Sequence, residues 1–524
     1  MMKKNLLTLA AVLCCAMTTA VFTACTDNDD NPVFPDYPTA QAEYTILFYG
    51  YGGSNLDDDI FQNMMDFYNG QAESYKKVKI ACQYKYSSAE NLQKYWIDNM
   101  EALTPEVEQQ IKDMGLQTIR FIVDNTDDDP DSDVLLNQAS IYGQKNCHIA
   151  NVDSLTNFIN WGIKACPAKH YILIVSDHGG GYRPHDELTF QAPAQTRGVL
   201  YDTANDPIVS FSASALRYAL SRANAHMDVV YLDACLMNSI EYQFELKEFA
   251  DYYILSSFVV PGAGGFYSVM IDELAKNGDD IETALKNFNK ASVDRWDRDA
   301  AAAYAAGDEN SKWDYHDMTV TRTRNLDAFG VKFREFTDKL VAAYADEGNK
   351  AKIDEKTKYT FKVNNSRPNY DLVDYAKGIC DALPDVFDTA FSNDVGFAFN
   401  SCLVSQYCSD FLMEKGWSVD CSILLAVEGN YYNYNYDSND PTKLLGYDIY
   451  YADGKLESYK SGETEPTVIS TWPSTLADTY EKLAFDKATG WSRWLKLNKQ
   501  VPCTNSPVDM HYPLDNNVDY SKVR

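Results

Sequence analysis

Positive charge is scarce in this sequence: 46 Lys and Arg stand against 76 Asp and Glu, a formal net charge of −30. That balance excludes a nucleic-acid binder, because phosphate contacts need clustered cations. It also disfavours electrostatic docking on anionic lipid. What it leaves is solubility and an attraction for cationic substrates. No Cys-x-x-Cys occurs, so zinc and redox motifs lack support. The glycine turn Gly50-Tyr-Gly-Gly53 has neither Gly-x-Gly-x-x-Gly nor Gly-Lys-Ser/Thr, which removes the nucleotide-loop reading. The acidic stretch Asp124 to Asp133 lacks the Gly and terminal Glu of an EF-hand loop, so calcium is possible chemistry there without sequence support.

What the chain does have begins with a targeting segment. Lys3 and Lys4 precede the apolar run Leu6 to Val21, too short and wrongly flanked for a stable membrane span. The run ends in Phe22-Thr23-Ala24-Cys25. Small residues before a Cys resemble a bacterial lipoprotein signal, which implies that Cys25 becomes the lipidated first residue. Phe22 stands where such signals usually have Leu; ordinary cleavage near Ala20, with Cys25 incidental, is the alternative. The acidic Thr26 to Asp30 and the Pro-rich chain to Pro38 read as a disordered tether. An acidic run directly after the lipid Cys resembles the surface-export signal of Bacteroidetes lipoproteins. The expected location is therefore the outer membrane or cell surface, with lipid holding a folded domain through the tether. Setting aside Cys14, Cys15 and Cys25 leaves an odd number of cysteines, so an exported chain keeps at least one thiol.

Along the chain, continuous apolar runs read as strands buried on both faces of a parallel sheet: 44–49, 78–84, 171–176, 228–232 and 252–257. Helical spacing falls between them at 57–68, 151–166, 210–225 and 238–249, so the order is β-α-β with right-handed crossovers. Thr118 to Val123 alternates and suits an antiparallel extension. Further helices are expected at 272–296, 326–344, 370–383 and 480–495, with 299–313 as a linker or lid. From Cys421 to Tyr451 the pattern turns to strands. The expected fold class is α/β, a mostly parallel sheet flanked by helices with a C-terminal α+β region. The expected division is a signal at 1–24, a tether at 25–43, a catalytic domain at 44–320 and a C-terminal region at 321–524.

Two of the strands end on reactive side chains. Tyr171 to Ser176 runs into Asp177-His178-Gly179-Gly180-Gly181-Tyr182, and Asp228 to Leu232 runs into Asp233-Ala234-Cys235-Leu236-Met237. Chemistry in open α/β sheets collects at the carboxyl ends of strands. A His there can serve as base and a Cys as thiolate nucleophile. The glycines after His178 let backbone approach a reacting carbonyl, and the amides of Gly179 and Cys235 could stabilise its oxyanion. His185 is the main rival to His178, but it sits in a loop; His148, His170 and His226 read as bystanders. Alone, a buried Cys at a strand end is usually a small hydrophobe, and Asp233 could simply cap the following helix.

The paired strand-His-Gly and strand-Asp-Ala-Cys blocks resemble the clan that includes caspases, legumains, gingipains and clostripain, and are most similar to clostripain-like cysteine peptidases of gut bacteria. The resemblance extends from Tyr44 to about Leu495, through Asp371-Leu372 and Trp491 to Leu495. It implies a caspase-like fold and a Cys235–His178 dyad with Gly179 beside the oxyanion. It also implies Asp233 near the floor of a pocket that selects Arg or Lys. Self-cleavage in the loop after the His strand is implied at Arg197, with Arg183 second. No cofactor is required by this chemistry. Phe258 departs from the family pattern, which often has an acid after the strand ending at Ser257. The implied function is a lipid-anchored cysteine endopeptidase acting on protein or peptide substrates with basic residues. The alternative is a non-catalytic surface lipoprotein that uses the same fold to bind a protein or peptide.

Overall fold

The computed structural model describes residues 42–98, 117–123, 142–144, 147–182, 199–202, 209–308, 316–359, 369–410, 423–427, 429–437, 440–451, 455–471 and 480–498, with a few isolated positions between them. Cys25, Arg183, Arg197, His185 and the acidic stretch 124–133 lie outside the described residues, as do the signal and nearly all of the tether.

Among the described residues the central feature is a nine-stranded sheet. Its strands are β1 (Ala42–Tyr51), β2 (Val78–Lys85), β3 (Thr118–Val123), β4 (Tyr142–Gln144), β5 (Ala168–Ser176), β8 (Met227–Asp233), β9 (Ala250–Leu255), β10 (Asp317–Arg322) and β12 (Leu403–Cys408). The short strands β6 (Val199–Asp202) and β7 (Val209–Phe211) pair with each other, and so do β11 (Asn369–Asp371) and β13 (Leu424–Ala426). The sheet order is β12-β10-β9-β8-β5-β1-β2-β3-β4. The five inner strands from β9 to β2 are parallel. Both edges are antiparallel, β3 against β2 and β10 against β9.

Burial explains why these runs become inner strands. Ile46, Leu47, Phe48 and Tyr49 of β1, and Ile172 to Val175 of β5, are inaccessible to solvent. Successive side chains enter opposite cores, Leu47, Leu173 and Val230 one and Ile46, Ile172 and Val229 the other. Each such side chain contributes about 1.5–3 kcal/mol when buried.

Helices cover both faces. Among the described residues they are α1 (Gly53–Asp66), α2 (Ala89–Asp98), α3 (Val152–Ala165), α4 (Ala213–Ala223), α5 (Ile240–Leu246), α6 (Tyr267–Lys276), α7 (Ile281–Ala305), α8 (Leu326–Ala343), α9 (Glu347–Tyr359), α10 (Leu372–Ala382), α11 (Thr389–Asn400), α12 (Ala484–Thr489) and α13 (Ser492–Leu497). Asn151 caps α3 by accepting from Asp153 N and Ser154 N, and Ser212 caps α4 through Ala215 N. Phe158 and Leu216 share one core with Phe333 of α8 and Trp491, whereas Phe61, Ile271 and Phe288 line the other. β10 runs across position 320 and β12 lies beyond it, so the sheet takes strands from both parts of the chain. A separate meander, β14 (Asn430–Asp437), β15 (Asp440–Tyr451), β16 (Lys455–Lys460) and β17 (Val468–Thr471), completes the α+β region.

Several expected helices differ. The 272–296 pattern is two helices, because Gly278 lies between α6 and α7 and Asp280 caps α7 through Thr283 N. The expected linker at 299–313 is helical as far as Ala305, in keeping with its run of alanines. The expected closing helix 480–495 is α12 and α13, parted at Gly490 with φ 68°. Residues 369–371 are strand, and α10 starts only after Asp371, whose side chain accepts from Asp374 N.

Candidate active site

β5 and β8 are neighbours and parallel, with Ser176 opposite Asp233. His178 and Cys235 therefore leave the sheet side by side, each two residues past a paired position. The closeness is extreme at the next residue. A Cβ built on Gly179 falls 2.1 Å from Cys235 O, 2.8 Å from Cys235 N and 3.0 Å from Ala234 C. The backbone carrying the histidine lies directly against the backbone carrying the thiol, and glycine alone fits between them.

Cys235 sits in a tight turn, and Leu236 beside it has φ 66°. That left-handed conformation costs a non-glycine residue about 1–2 kcal/mol. The turn is held from the exit of β9. Leu236 N donates to Phe258 O and Asn238 N to Ser256 O, each at 2.8 Å. Val260 N approaches the sulfur itself at 3.3 Å. An amide aimed at sulfur favours the thiolate. The helix expected from Asn238 begins at Ile240, capped by Ser239, so Cys235 lies in a turn ahead of the helix rather than at its first residue.

Among the described residues no disulfide forms. Six of the seven described thiols are buried and Cys235 alone is partly exposed. Burial pushes Cys380 and Cys408 up to about 12 and Cys402 to about 11, so those thiols stay protonated at neutral pH.

His178 is partly buried, and desolvation holds its pKa below the usual imidazole value. Its Nε2 lies 2.8 Å from Asn55 Oδ1. With the proton on Nε2 donated to that oxygen, Nδ1 is left as the basic nitrogen. Asn55 belongs to the first turn of α1, and the glycine turn before it explains the fit. Gly53 has φ 45°, and a Cβ there would stand 3.1 Å from Asp177 Oδ1 and 3.3 Å from His178 Cδ2. Asn55 was not legible in the sequence, where the helix was expected only from Asp57.

Asp233 ends β8 beneath the Pro261–Gly265 loop and is 4% exposed. Its Oδ1 accepts from Tyr231 Oη at 2.8 Å; its Oδ2 accepts from Gly265 N at 3.2 Å and from Tyr267 Oη. Burial pushes its carboxyl above the usual range, while these donors and Arg295 pull it back. Arg295 Nη2 and Trp296 Nε1 bind Gly264 O, each at 2.7 Å, and Asn63 Nδ2 binds Gly262 O at 3.0 Å. The loop over Asp233 is thus pinned from α1 and α7.

The histidines His148, His170 and His226, expected to be bystanders, serve elsewhere. His170 pairs with Asp228 at 2.7 Å and His226 with Asp251 at 3.2 Å, at the opposite end of the strands. His148 is half-exposed, 3.9 Å from Asp202. Asp202 closes β6 and makes a buried ion pair with Lys85 at 2.8 Å. The first residue of that strand, Val199, is bridged to Gly179. Among the described residues no group of three or more His, Cys, Asp or Glu side chains could hold a metal ion.

Comparison with known proteins gives the family of the chain. Residues 84–440 match the model of the Clostripain family, peptidase family C11. Clostripain of Hathewaya histolytica is 23% identical over 270 residues, which is 48% of this chain and 47% of that protein. The chain thus matches about half the length of that curated relative. A secreted C11 cysteine protease from Bacteroides thetaiotaomicron, solved with an irreversible peptide inhibitor, superposes with a TM-score of 0.51 at 17% identity, over 86% of this chain and 99% of that one. At that identity the likeness is one of fold, a caspase-like sheet with its flanking helices. With the family's model matched across both reactive strand ends, the chain belongs to the Clostripain family.

Proposed function

We propose that this protein is a cysteine endopeptidase in which Cys235 attacks the scissile carbonyl and His178 moves the protons. One observation carries the reading: Gly179, next to the imidazole, is packed on the backbone of Cys235 at the ends of two adjacent parallel strands. Attack by the thiolate forms a tetrahedral oxyanion, for which the amides of Gly179 and Cys235 are the donors in reach. Collapse expels the amine, which takes a proton from His178. Water then hydrolyses the thioester, with the same imidazole acting as base. Asn55 holds the ring in one tautomer throughout.

A preference for Arg or Lys rests on Asp233 and on the net charge of −30. Because Asp233 is saturated by two tyrosines and an amide, it acts as the negative floor below the Gly262–Gly265 loop. Self-cleavage at Arg197, or at Arg183, is the proposed activation. Val199 bridged to Gly179 and Asp202 paired to Lys85 would keep the new chain start at the site. The signal at 1–24, lipidation of Cys25 and the 25–43 tether complete the proposal, with an outer-membrane or cell-surface location.

The test is hydrolysis of peptides with Arg, Lys, Asp or Leu before the scissile bond, by wild type and Cys235→Ala. Cleavage after Arg or Lys alone, abolished in the variant, is expected. Activity persisting in Cys235→Ala refutes the nucleophile, and equal cleavage after Leu refutes the basic pocket.

A further inference from the structure

Asp317 lies far along the chain from the thiol and opens the antiparallel strand β10, between β9 and the edge strand β12. Since Thr319 stands opposite Leu255, the start of β10 meets the end of β9 on the side where Cys235 emerges. Asp317 is fully buried. A single oxygen, Oδ1, accepts from Ser256 Oγ at 2.8 Å, Ser257 N at 2.8 Å and Phe258 N at 3.0 Å. Three donors on one oxygen offset the cost of burying the carboxyl group. The next residue back reinforces the link, as His316 is bridged to Val259.

The segment gripped in this way is the one that holds the nucleophile. Ser256 and Phe258 supply the carbonyls that receive Asn238 N and Leu236 N, and Val260 supplies the amide at the sulfur. The contacts that hold the turn after Cys235, and the one at its sulfur, therefore come from the segment that this carboxylate grips. The arrangement also accounts for Phe258. Its ring is buried and its amide and carbonyl are both engaged, so the position works through its backbone.

We propose that Asp317 is a positioning residue for the Cys235 nucleophile: it fixes the exit of β9, and through it the strained turn and the Val260 amide that set the sulfur's place and reactivity. The proposal rests on the reading of Cys235 as nucleophile, and alkylation of the thiol tests it without any peptide substrate.

The experiment uses the mature chain carrying Asp317→Ala, Asp317→Asn or Ser256→Ala, beside wild type and Cys235→Ala. It measures melting, the second-order rate of Cys235 alkylation by iodoacetamide at pH 7, and kcat and KM on an Arg peptide. Asp317→Ala should lower both the alkylation rate and kcat by about tenfold or more, with KM changed less than about twofold. Asp317→Asn, whose amide oxygen can accept the same donors, should recover to within about threefold. Ser256→Ala removes one donor of the three and should lower both rates by about threefold. A folded Asp317→Ala with wild-type alkylation and kcat overturns the proposal. If that variant does not fold, Ser256→Ala decides it: a fall in alkylation supports the proposal and an unchanged rate overturns it. Hydrolysis surviving in Cys235→Ala would instead remove the reading of Cys235 and leave the alkylation comparison intact.

Discussion

Substituting Gly179 with alanine is the most direct perturbation of the site. The added carbon would stand 2.1 Å from Cys235 O, whereas ordinary contact begins near 3.4 Å. The atoms it meets are all backbone, so no rotamer change relieves it. The ends of β5 and β8 must part by about 1 Å. Overpacking of this kind costs about 1–3 kcal/mol of stability. A displacement of about 1 Å between reacting groups lowers the rate by about 100-fold, or about 2.7 kcal/mol of transition-state stabilisation. The assay pairs thermal melts with kcat/KM on an Arg peptide, so lost folding and lost geometry are read separately. Gly396→Ala is the control. It sits in α11, where the nearest atom to a new Cβ is Lys377 Cδ at 3.9 Å. Alanine there should be neutral or stabilising by up to about 1 kcal/mol. If Gly179→Ala melts like wild type and keeps kcat/KM within about threefold, the packing of His178 against Cys235 is not as described.

Three further outcomes are expected. Asn55→Asp places a carboxylate beside His178 and should move the His178 limb of the pH–rate profile upward, while Asn55→Ala should lower kcat by about tenfold; an unchanged profile in both would remove Asn55 from the site. Burial pushes the carboxyl of Glu241 from 4.5 up to about 7, although Ala426 N and Tyr480 Oη bind its Oε1. A folded-state pKa above the unfolded one means the stability is fully present below about pH 4.5 and is lost as pH rises through about 7, by about 3 kcal/mol in all; urea melts of Glu241→Gln between pH 5 and 8 should lack this slope. Lys85→Met strands the buried Asp202 carboxylate and should cost about 3–5 kcal/mol by chemical denaturation, most of it recovered when Asp202→Leu is added; a double variant as unstable as the single one would contradict the pairing.

The inner strands were readable because a stretch buried on both faces must be apolar, and 46–49 of β1, 172–175 of β5, 229–232 of β8 and 252–255 of β9 are. The same feature singled out His178 and Cys235, since each stands three residues after such a run. Helix limits were less legible where one turn decides them. Asp280 looks like any acidic residue inside a long pattern, yet its side chain caps α7. The alanines near 300 carry no apolar periodicity, yet their propensity continues the helix. Asn55 and Asp317 were illegible for a different reason. Each acts through an atom of a distant segment, and nothing near either in the sequence marks the partner. Asp233 was found by position, but the tyrosines that saturate it, Tyr231 and Tyr267, became visible only in three dimensions.

The Cys235 turn draws on widely separated parts of the chain: His178 and its Asn55 support, the β9 exit, and the Asp317 anchor on β10. This has a consequence for biosynthesis. A polypeptide emerging from a ribosome lacks the Asp317 anchor until residue 317 has been added and β10 has docked on β9. Non-local pairing of this kind is slow compared with local helix formation. On the reading proposed above, the growing chain thus carries no assembled dyad and anchor while its first three hundred or so residues are being made.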